Sequence, residues 1–105
     1  MNTNLNYGQA LEAVKKGELI SREDWNGKGM FVFMRPEDEL QKLFVVESVK
    51  SIPNAVKDYF KKMETEPGAT IKFSAYLCMK AADNGIVNGW LASQTDMLSN
   101  DWCIL

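Results

Sequence analysis

The first apolar pattern in the chain has helical spacing. Apolar side chains recur every three or four residues over 7–14, so they share one face of a helix, and charged side chains occupy the remainder. Asn6 and Gln9 have the spacing of a capping box at a helix start. Gly17 follows two lysines, which is a typical stop signal. The pattern predicts an amphipathic helix over residues 6–16.

Two short strands are predicted next, because strand-forming residues cover Leu19–Glu23 and Met30–Arg35. The stretch Asn26–Gly29 between them predicts a turn or a bulged loop that tolerates positive φ. Residues 36–50 carry no single pattern. Their acidic start is typical of a helix, whereas the apolar run at 43–46 suits a strand or a buried connection. Both interpretations of this segment stay open.

A second helical pattern begins at Ile52 and runs to Glu64. Pro53 suits the first turn of a helix, and apolar side chains at 56, 59, 60 and 63 form a stripe with helical spacing. Lysines and an aspartate occupy the opposite face. Glu66-Pro67-Gly68 then predicts a turn that ends the element.

The last third of the chain is predicted to be mainly strands. Ile71–Ala82 is rich in strand formers, and Asn84-Gly85 is a strong hairpin signal that leads to a further strand over 86–90. Residues 93–98 begin with a second capping-box spacing and predict one short helical turn. The alternation at 102–105 predicts a final strand.

These elements predict an α+β fold: a small antiparallel sheet with an N-terminal helix and a second helix packed on it. The length of 105 residues suits one domain over 1–105, and 46% hydrophobic residues are enough for a core. A domain of this size buries only about two-thirds of its unfolded surface, so self-association would add useful burial.

Charge and composition exclude several classes of partner. A net charge of −2 argues against binding to a nucleic-acid polymer, although a locally positive pocket could still hold a small anion. The start of the chain has no secretory signal pattern, and no apolar run approaches the ~20 residues of a membrane span. The two cysteines are far apart and do not form a zinc or redox motif. We therefore expect a cytosolic protein with reduced thiols and no membrane partner.

Catalytic chemistry is scarce in this sequence. It has no histidine, the usual general base near neutral pH. Asp96 with Asp101, and Glu23 with Asp24, are possible carboxylate pairs, but Asp96 has a structural role at a helix start and the second pair suits a solvated strand end. No cluster has the spacing of metal ligands. We predict no catalytic residue, no metal site and no cofactor.

Binding chemistry is better represented. Trp25 precedes a loop with two glycines, whose backbone amides can approach an anion closely. Trp90 precedes a polar segment at a predicted helix start, where free N–H groups could meet a phosphate or a ribose. Trp102 lies in an alternating terminal strand and is predicted to be a core residue. Two aromatic stretches of this kind predict a pocket for a nucleotide-like small molecule.

Several blocks of this sequence resemble the phage Thoeris anti-defense protein 2 family. They are Asn-Tyr-Gly-Gln-Ala-Leu-Glu-Ala at 6–13, Arg-Glu-Asp-Trp-Asn-Gly-Lys-Gly-Met at 22–30, Met-Lys-Ala-Ala-Asp-Asn-Gly at 79–85, Gly-Trp-Leu-Ala-Ser-Gln-Thr-Asp-Met-Leu at 89–98 and Asp-Trp at 101–102. The resemblance covers both ends of the chain, and the middle matches only loosely.

The resemblance implies a non-enzymatic sponge for immune signals in the cytoplasm of an infected bacterial host. It implies that the ligands are the 1″–2′ and 1″–3′ isomers of glycocyclic ADP-ribose, the signals of Thoeris defence. Some members also hold cyclic dinucleotides of the CBASS pathway at a separate site. The resemblance further implies a homotetramer with pockets between protomers, and a ligand that is sequestered without being degraded.

We expect Trp25 and Trp90 to stack on a base, and Arg22, Lys28 and the loop amides to face phosphate. The polar segment after Trp90 would satisfy ribose or base edges. The full expected ligand-binding set is Arg22, Trp25, Asn26, Gly27, Lys28, Met30, Met79, Asn88, Trp90, Ala92, Ser93, Gln94, Thr95 and Asp96. Two alternatives stay open: an adaptor that binds a host protein through the apolar stripe at 56–63, and a cyclic-nucleotide hydrolase.

Overall fold

The computed structural model describes residues 3–25 and 27–105. Its residue contacts divide the chain into two compact units. The first unit contains the chain up to Pro36 together with Ala75–Leu105, and the second unit contains Glu37–Ser74. The description as one domain stays a prediction.

The described residues form an α+β structure with four α-helices and seven strands. The helices are α1 (Tyr7–Lys15), α2 (Lys42–Ser48), α3 (Asn54–Lys62) and α4 (Gln94–Leu98). The strands are β1 (Ile20–Arg22), β2 (Phe31–Arg35), β3 (Asp38–Gln41), β4 (Thr70–Phe73), β5 (Tyr76–Lys80), β6 (Ile86–Asn88) and β7 (Trp102–Ile104). A 3₁₀ turn, Glu23–Trp25, follows β1.

The first unit is built on a five-stranded sheet with the order β6-β5-β2-β1-β7. Every neighbouring pair is antiparallel, which confirms the predicted small antiparallel sheet. At one edge, Trp102 of β7 exchanges backbone hydrogen bonds of 2.9 and 3.1 Å with Leu5. At the other edge, the predicted hairpin is present, with Asn84 in the left-handed region at φ 69°. The strand β6 ends at Asn88, two residues before the predicted end.

Helix α1 covers this sheet and confirms the first prediction. Its capping box is present: Asn6 Oδ1 accepts from the Gln9 N–H at 2.8 Å, and Gln9 Oε1 accepts from the Asn6 N–H at 2.9 Å. The helix buries Ala10, Ala13 and Val14 in the core of the first unit. The remaining buried members of that core are Ile20, Val32, Met79 and Trp102.

The second unit contains residues 37–50 of the segment that had no clear pattern. Its acidic start forms a strand rather than a helix, and its apolar run forms a helix rather than a strand. The acidic start lies in β3, which pairs with β4 from Asp38↔Phe73 to Gln41↔Thr70. The apolar run lies in helix α2, where Val45 is fully buried. Pairing between distant residues and burial of one side chain therefore outweigh the local preferences. The predicted strand 71–82 is divided into β4 and β5, which belong to different units.

Helix α3 belongs to the second unit, where it contacts α2. It begins one residue after Pro53, whose backbone is extended at φ −60° and ψ 150°, so the proline is the N-cap rather than a residue of the first turn. Its apolar stripe is open, because Val56 and Tyr59 are 39% and 66% exposed. No residue of α3 is buried. Inside the second unit the helix contacts α2, and its expected packing on the sheet stays a prediction.

Candidate small-molecule site at the tryptophan cluster

Three tryptophans form an edge-to-face cluster in the first unit. The ring centroids of Trp25 and Trp102 lie 5.5 Å apart at 78°, and Trp90 lies 6.3 Å from each of the other two at 79°. Trp102 is fully buried, which confirms its predicted place in the core. Trp25 and Trp90 pack against that core but are only partly buried. The two outer rings can therefore offer a remaining face or edge to a ligand.

Trp102 also connects the core to α4. Its indole N–H donates to the backbone carbonyl of Asp96 at 2.8 Å. Its ring packs against Tyr7 of α1, with centroids 5.4 Å apart. A buried indole usually has a hydrogen-bond partner, and here the partner belongs to the segment 93–96, which carries four of the expected polar site residues. The position of α4 thus depends on the core residue.

A cavity of about 180 Å³ lies beside Trp25. Its lining residues are Ser21, Trp25, Gly27, Lys28, Gly29, Met30 and Leu105. Four of them were expected: Trp25, Gly27, Lys28 and Met30. Asn26, also expected here, lies outside the described residues. The structure therefore brings the aromatic side chain and the loop of the first sequence block together around an opening.

The conformation of this loop requires its glycines. Gly27 and Gly29 have φ of 64° and 72°, in the left-handed region that most side chains avoid. A Cβ atom on Gly29 would lie 3.2 Å from the Nζ atom of Lys80, so the approach is also close. Lys80 donates to the Gly29 carbonyl at 2.8 Å. The ammonium of Lys80 and the exposed Lys28 give this loop positive charge on a protein with a net charge of −2.

Three cavity residues and the neighbouring lysine were missed in the sequence. Gly29 could have been predicted from the sequence, since it belongs to the same loop as Gly27. Ser21 and Leu105 join the cavity only through strand pairing, because β1 lies beside β7 and the Leu105 N–H donates to Leu19 at 2.9 Å. Lys80 depends on the pairing Phe31↔Lys80 between β2 and β5. A single sequence carries no local signal for such contacts.

The capping box predicted for α4 is present. Ser93 Oγ accepts from the Asp96 N–H at 3.0 Å, and Asp96 Oδ2 accepts from the Ser93 N–H at 2.9 Å. These two side chains therefore stabilise the helix start. Gln94 and Thr95 project from the same turn and are exposed.

Arg22 is almost buried, at 8% exposed, and its guanidinium already has carboxylate partners. Nη1 donates to Asp96 Oδ1 at 2.8 Å, and Nε donates to Asp101 Oδ1 at 2.9 Å. The hydrogen bond to Asp101 is the main reason that the pKa of Arg22 is raised, and the same bond lowers the pKa of Asp101. Burial would raise the pKa of Asp96, but hydrogen bonds from Ser93 and Arg22 outweigh it and lower that pKa. All three groups are held in their charged forms.

The remaining expected residues lie away from the cavity beside Trp25. Met79 belongs to the buried core at 8% exposed. Asn88 lies on the edge strand β6, where its Oδ1 accepts from the Cys78 thiol at 3.6 Å. Ala92 is half-buried before α4, and Trp90 is not among the residues that line the cavity. One chain therefore brings only the first block of expected residues around an opening.

In residues 3–25 and 27–105, no group of three cysteine, aspartate or glutamate side chains could hold a metal ion. Within the same ranges, every helix is too short or too polar to cross a bilayer.

Comparison with known proteins identifies the family of the chain. The model of the Thoeris anti-defense 2-like domain matches residues 5–105. A protein named Thoeris anti-defense 2, from Bacillus phage SP01, is 35% identical over 105 residues, which cover 100% of this chain and 99% of that relative. The chain belongs to the Thoeris anti-defense 2-like family. The resemblance seen in the sequence is confirmed, and membership supports a phage anti-defense role.

Membership in the Thoeris anti-defense 2-like family fits a protein that is not an enzyme. The sequence blocks 22–30 and 89–98 both lie in the first unit, and Trp25 of the first block meets Trp90 of the second in the tryptophan cluster. This cluster is therefore our candidate site for the anti-defense activity.

Proposed function

We propose that this protein is a sponge that binds glycocyclic ADP-ribose and holds it without degrading it, so that the Thoeris effector is not activated. The observation that carries the proposal is the cavity beside Trp25. It combines a partly exposed indole, a loop with two left-handed glycines and Lys28, and Lys80 donates to the same loop. Its place of action would be the cytoplasm of an infected bacterial host.

The chemistry of the cavity suits a phosphorylated ring compound. Trp25 would stack on a base, which contributes about 1–3 kcal/mol in comparable base–aromatic contacts. The ammonium of Lys28 and the backbone amide of Gly27 would face phosphate, since backbone N–H groups of such a loop can form an anion-binding concavity. Met30 would close the apolar side. The positive field is local, so an acidic protein can still bind an anion.

The size of the cavity supports a pocket shared between protomers. At about 180 Å³ it is smaller than the ~300–1,000 Å³ of usual ligand pockets, so one chain encloses only part of the ligand. We propose that the protein is a homotetramer and that a neighbouring protomer supplies the remaining wall. Exposed apolar side chains near the second sequence block fit this role, because Leu91 and Leu98 are 88% and 78% exposed. Trp90, Asn88, Ala92 and the α4 residues Gln94 and Thr95 would then contribute across an interface.

A second cavity supports the separate site for cyclic dinucleotides. It lies within the second unit and measures about 510 Å³, inside the usual range for small-molecule pockets. Its lining includes Lys42 and Lys61, the acidic side chains Glu47 and Glu66, and apolar side chains such as Leu43 and Val46. The two lysines would meet the phosphates of a cyclic dinucleotide, and the apolar walls would meet its bases.

The adaptor hypothesis also has an observation in its favour. The stripe of α3 exposes Val56, Tyr59 and Met63 by 39%, 66% and 40%. Contiguous exposed apolar side chains of this kind are typical of protein-binding surfaces. An adaptor of this kind would bind a host protein and no nucleotide.

Calorimetry with the purified protein and each glycocyclic ADP-ribose isomer tests the sponge directly. We expect tight binding, and nanomolar affinity corresponds to about −12 kcal/mol. The ligand should be released intact when the complex is denatured by heat and analysed by chromatography. No binding heat at micromolar concentrations would refute the proposal, and a chemically changed ligand would identify a hydrolase instead.

Two variants with the same loss of charge locate the site. Lys28→Gln should weaken binding and reduce its dependence on salt, because Lys28 lines the cavity. Lys15→Gln is the matched control, since Lys15 lies on α1 in an exposed pair with Glu12. Equal affinities for the two variants would show that the anion binds elsewhere. Light scattering of the same samples, with and without ligand, would show whether the assembly is a tetramer.

A further inference from the structure

Arg22 joins three parts of the first unit. Its own strand is β1, and its guanidinium reaches Asp96 in α4 and Asp101 in the segment before β7. The second oxygen of Asp101 accepts from the Asp24 N–H at 3.0 Å, next to Trp25. One side chain therefore connects the loop of the first sequence block with the helix of the second.

Helix α4 depends on these connections. It has five residues and none of them is buried, so neither its length nor an apolar face stabilises it. Two contacts fasten Asp96 to the rest of the unit: the bond from Arg22 at 2.8 Å, and the bond from the Trp102 indole to its carbonyl at 2.8 Å. Without Arg22, the helix would keep its own capping box, the indole bond and its contacts with α1.

The charges around Arg22 make it a poor ligand for phosphate. Its single positive charge faces the carboxylates of Asp96 and Asp101 within 2.9 Å, and that of Asp24 at 3.9 Å. The net charge of these four side chains is therefore negative. An incoming phosphate would have to displace a carboxylate from a guanidinium that is 92% shielded from solvent, given its exposure of 8%. Such displacement would leave a partly buried carboxylate without its partner, which is costly.

We propose that Arg22 is a positioning residue of the binding site: it holds α4 and the Trp25 loop in the geometry that the ligand requires, and it does not touch the ligand. This inference rests on the proposed function, because it assigns a role within that site. It replaces the expected contact of Arg22 with phosphate.

The direction in which one substitution changes the ligand affinity separates the two roles. If Arg22 positions the site, Asp101→Asn removes the charge of its main partner and one of that partner's two acceptor oxygens, and it should weaken the binding of glycocyclic ADP-ribose about tenfold, as coupled residues of one network do. If Arg22 instead contacts phosphate, the same substitution removes a competing negative charge and should leave binding unchanged or make it tighter. Arg22→Gln should weaken binding in both cases. Under positioning, the effects of the two substitutions should be less than additive in the double variant, and the salt dependence should stay that of the native protein.

A ligand-free measurement checks the same connection. In Arg22→Gln and Asp101→Asn, the Trp102 indole N–H should exchange with solvent faster by nuclear magnetic resonance, since it reports the bond to α4. All variants are compared at temperatures well below their own unfolding midpoints, so that a loss of stability alone leaves the affinity unchanged. Lys15→Gln is the control, because it removes an exposed ion pair within α1 that includes none of these residues.

Each outcome bears on one proposal. Weaker binding in Asp101→Asn with faster indole exchange supports the positioning role. Native affinity in Asp101→Asn, or tighter binding, overturns it and leaves the sponge intact. Absence of binding in the native protein overturns the sponge, and the positioning role with it. If Arg22→Gln does not fold, the milder Asp101→Asn still shows whether the affinity falls, as the positioning role requires, or stays the same or rises.

Discussion

Trp102→Phe tests the link between the core and α4. The native side chain is fully buried and packs against Tyr7, Trp25 and Trp90. Phenylalanine keeps an aromatic ring but removes the indole N–H, which donates to the Asp96 carbonyl at 2.8 Å. The substitution therefore leaves a partly buried acceptor without its donor and reduces three aromatic contacts at once.

The lost contacts of Trp102 set the size of the effect. An acceptor left without its partner costs about 1–3 kcal/mol. Each aromatic pair contributes about 0.5–1.5 kcal/mol beyond its buried area, and the smaller ring weakens these pairs. We expect the free energy of unfolding to fall by about 2–4 kcal/mol, a large part of the ~5–15 kcal/mol of a typical domain. The midpoint of thermal unfolding should drop by about 10–30 °C.

Urea and thermal denaturation at one fixed protein concentration measure this loss, since assembly would make the midpoint depend on concentration. Trp90→Phe is the matched control, because it makes the same change at a ring that is only partly buried. We expect the control to cost clearly less. If Trp102→Phe costs under about 1 kcal/mol, or no more than Trp90→Phe, the indole does not hold α4 and the reasoning fails.

Three further results are expected. Ser93→Ala should lower the free energy of unfolding by about 1 kcal/mol through loss of the α4 cap, and an unchanged urea midpoint would contradict this. The folded-state pKa values of Asp96 and Asp101 are lowered, so these two carboxylates stabilise the fold fully above the unfolded pKa of about 3.9. Their contribution is lost as the pH falls through the lower folded pKa values. Asp101→Asn should therefore make the free energy of unfolding fall less steeply with decreasing pH, as measured by urea titrations at a series of pH values. Val45→Ala should destabilise the second unit by about 1–3 kcal/mol, whereas Leu43→Ala, at a side chain 64% exposed, should change stability by about 0.5 kcal/mol or less; similar amide exchange in both would refute this difference.

The sequence predicted those elements whose defining residues lie close together in the chain. The capping boxes of α1 and α4 each involve residues three positions apart, so donor and acceptor are visible in the printed sequence. The Asn84-Gly85 turn is equally local. For the same reason the buried Trp102 was predicted, since alternation along one strand reports which side faces the core.

Elements that depend on distant pairing could not be predicted from local signals. Strand β3 is acidic and exposed, and only its register with β4, such as Leu40↔Ile71, makes it a strand. The end of β5 at Lys80 and the separation of β4 from it are equally set by partners. In the second unit, the apolar run forms helix α2 and buries Val45, an outcome that its local composition did not indicate.

The candidate site shows the same limit. Trp25 and its glycine loop were predicted, because aromatic and left-handed positions are neighbours in sequence. The partners of Arg22 are 74 and 79 residues away, so the sequence shows a free cation where the structure has an ion pair. A positive residue next to an expected anion site is thus an ambiguous signal until its carboxylate neighbours are known.

These constraints together connect binding to assembly. With Arg22 committed to two carboxylates, the positive charge near the cavity comes from Lys28 and Lys80, and the cavity itself is about 180 Å³. So few contacts in an open pocket are too weak to trap a signal at low concentration, because affinity near nanomolar needs several contacts in a preformed site. If the missing wall comes from a second protomer, the ligand binds the assembled state preferentially. It must then stabilise that state by RT ln(1 + [L]/Kd), about 2.7 kcal/mol at a hundredfold excess over Kd. Capture of the signal and association of the chains would therefore be one linked equilibrium.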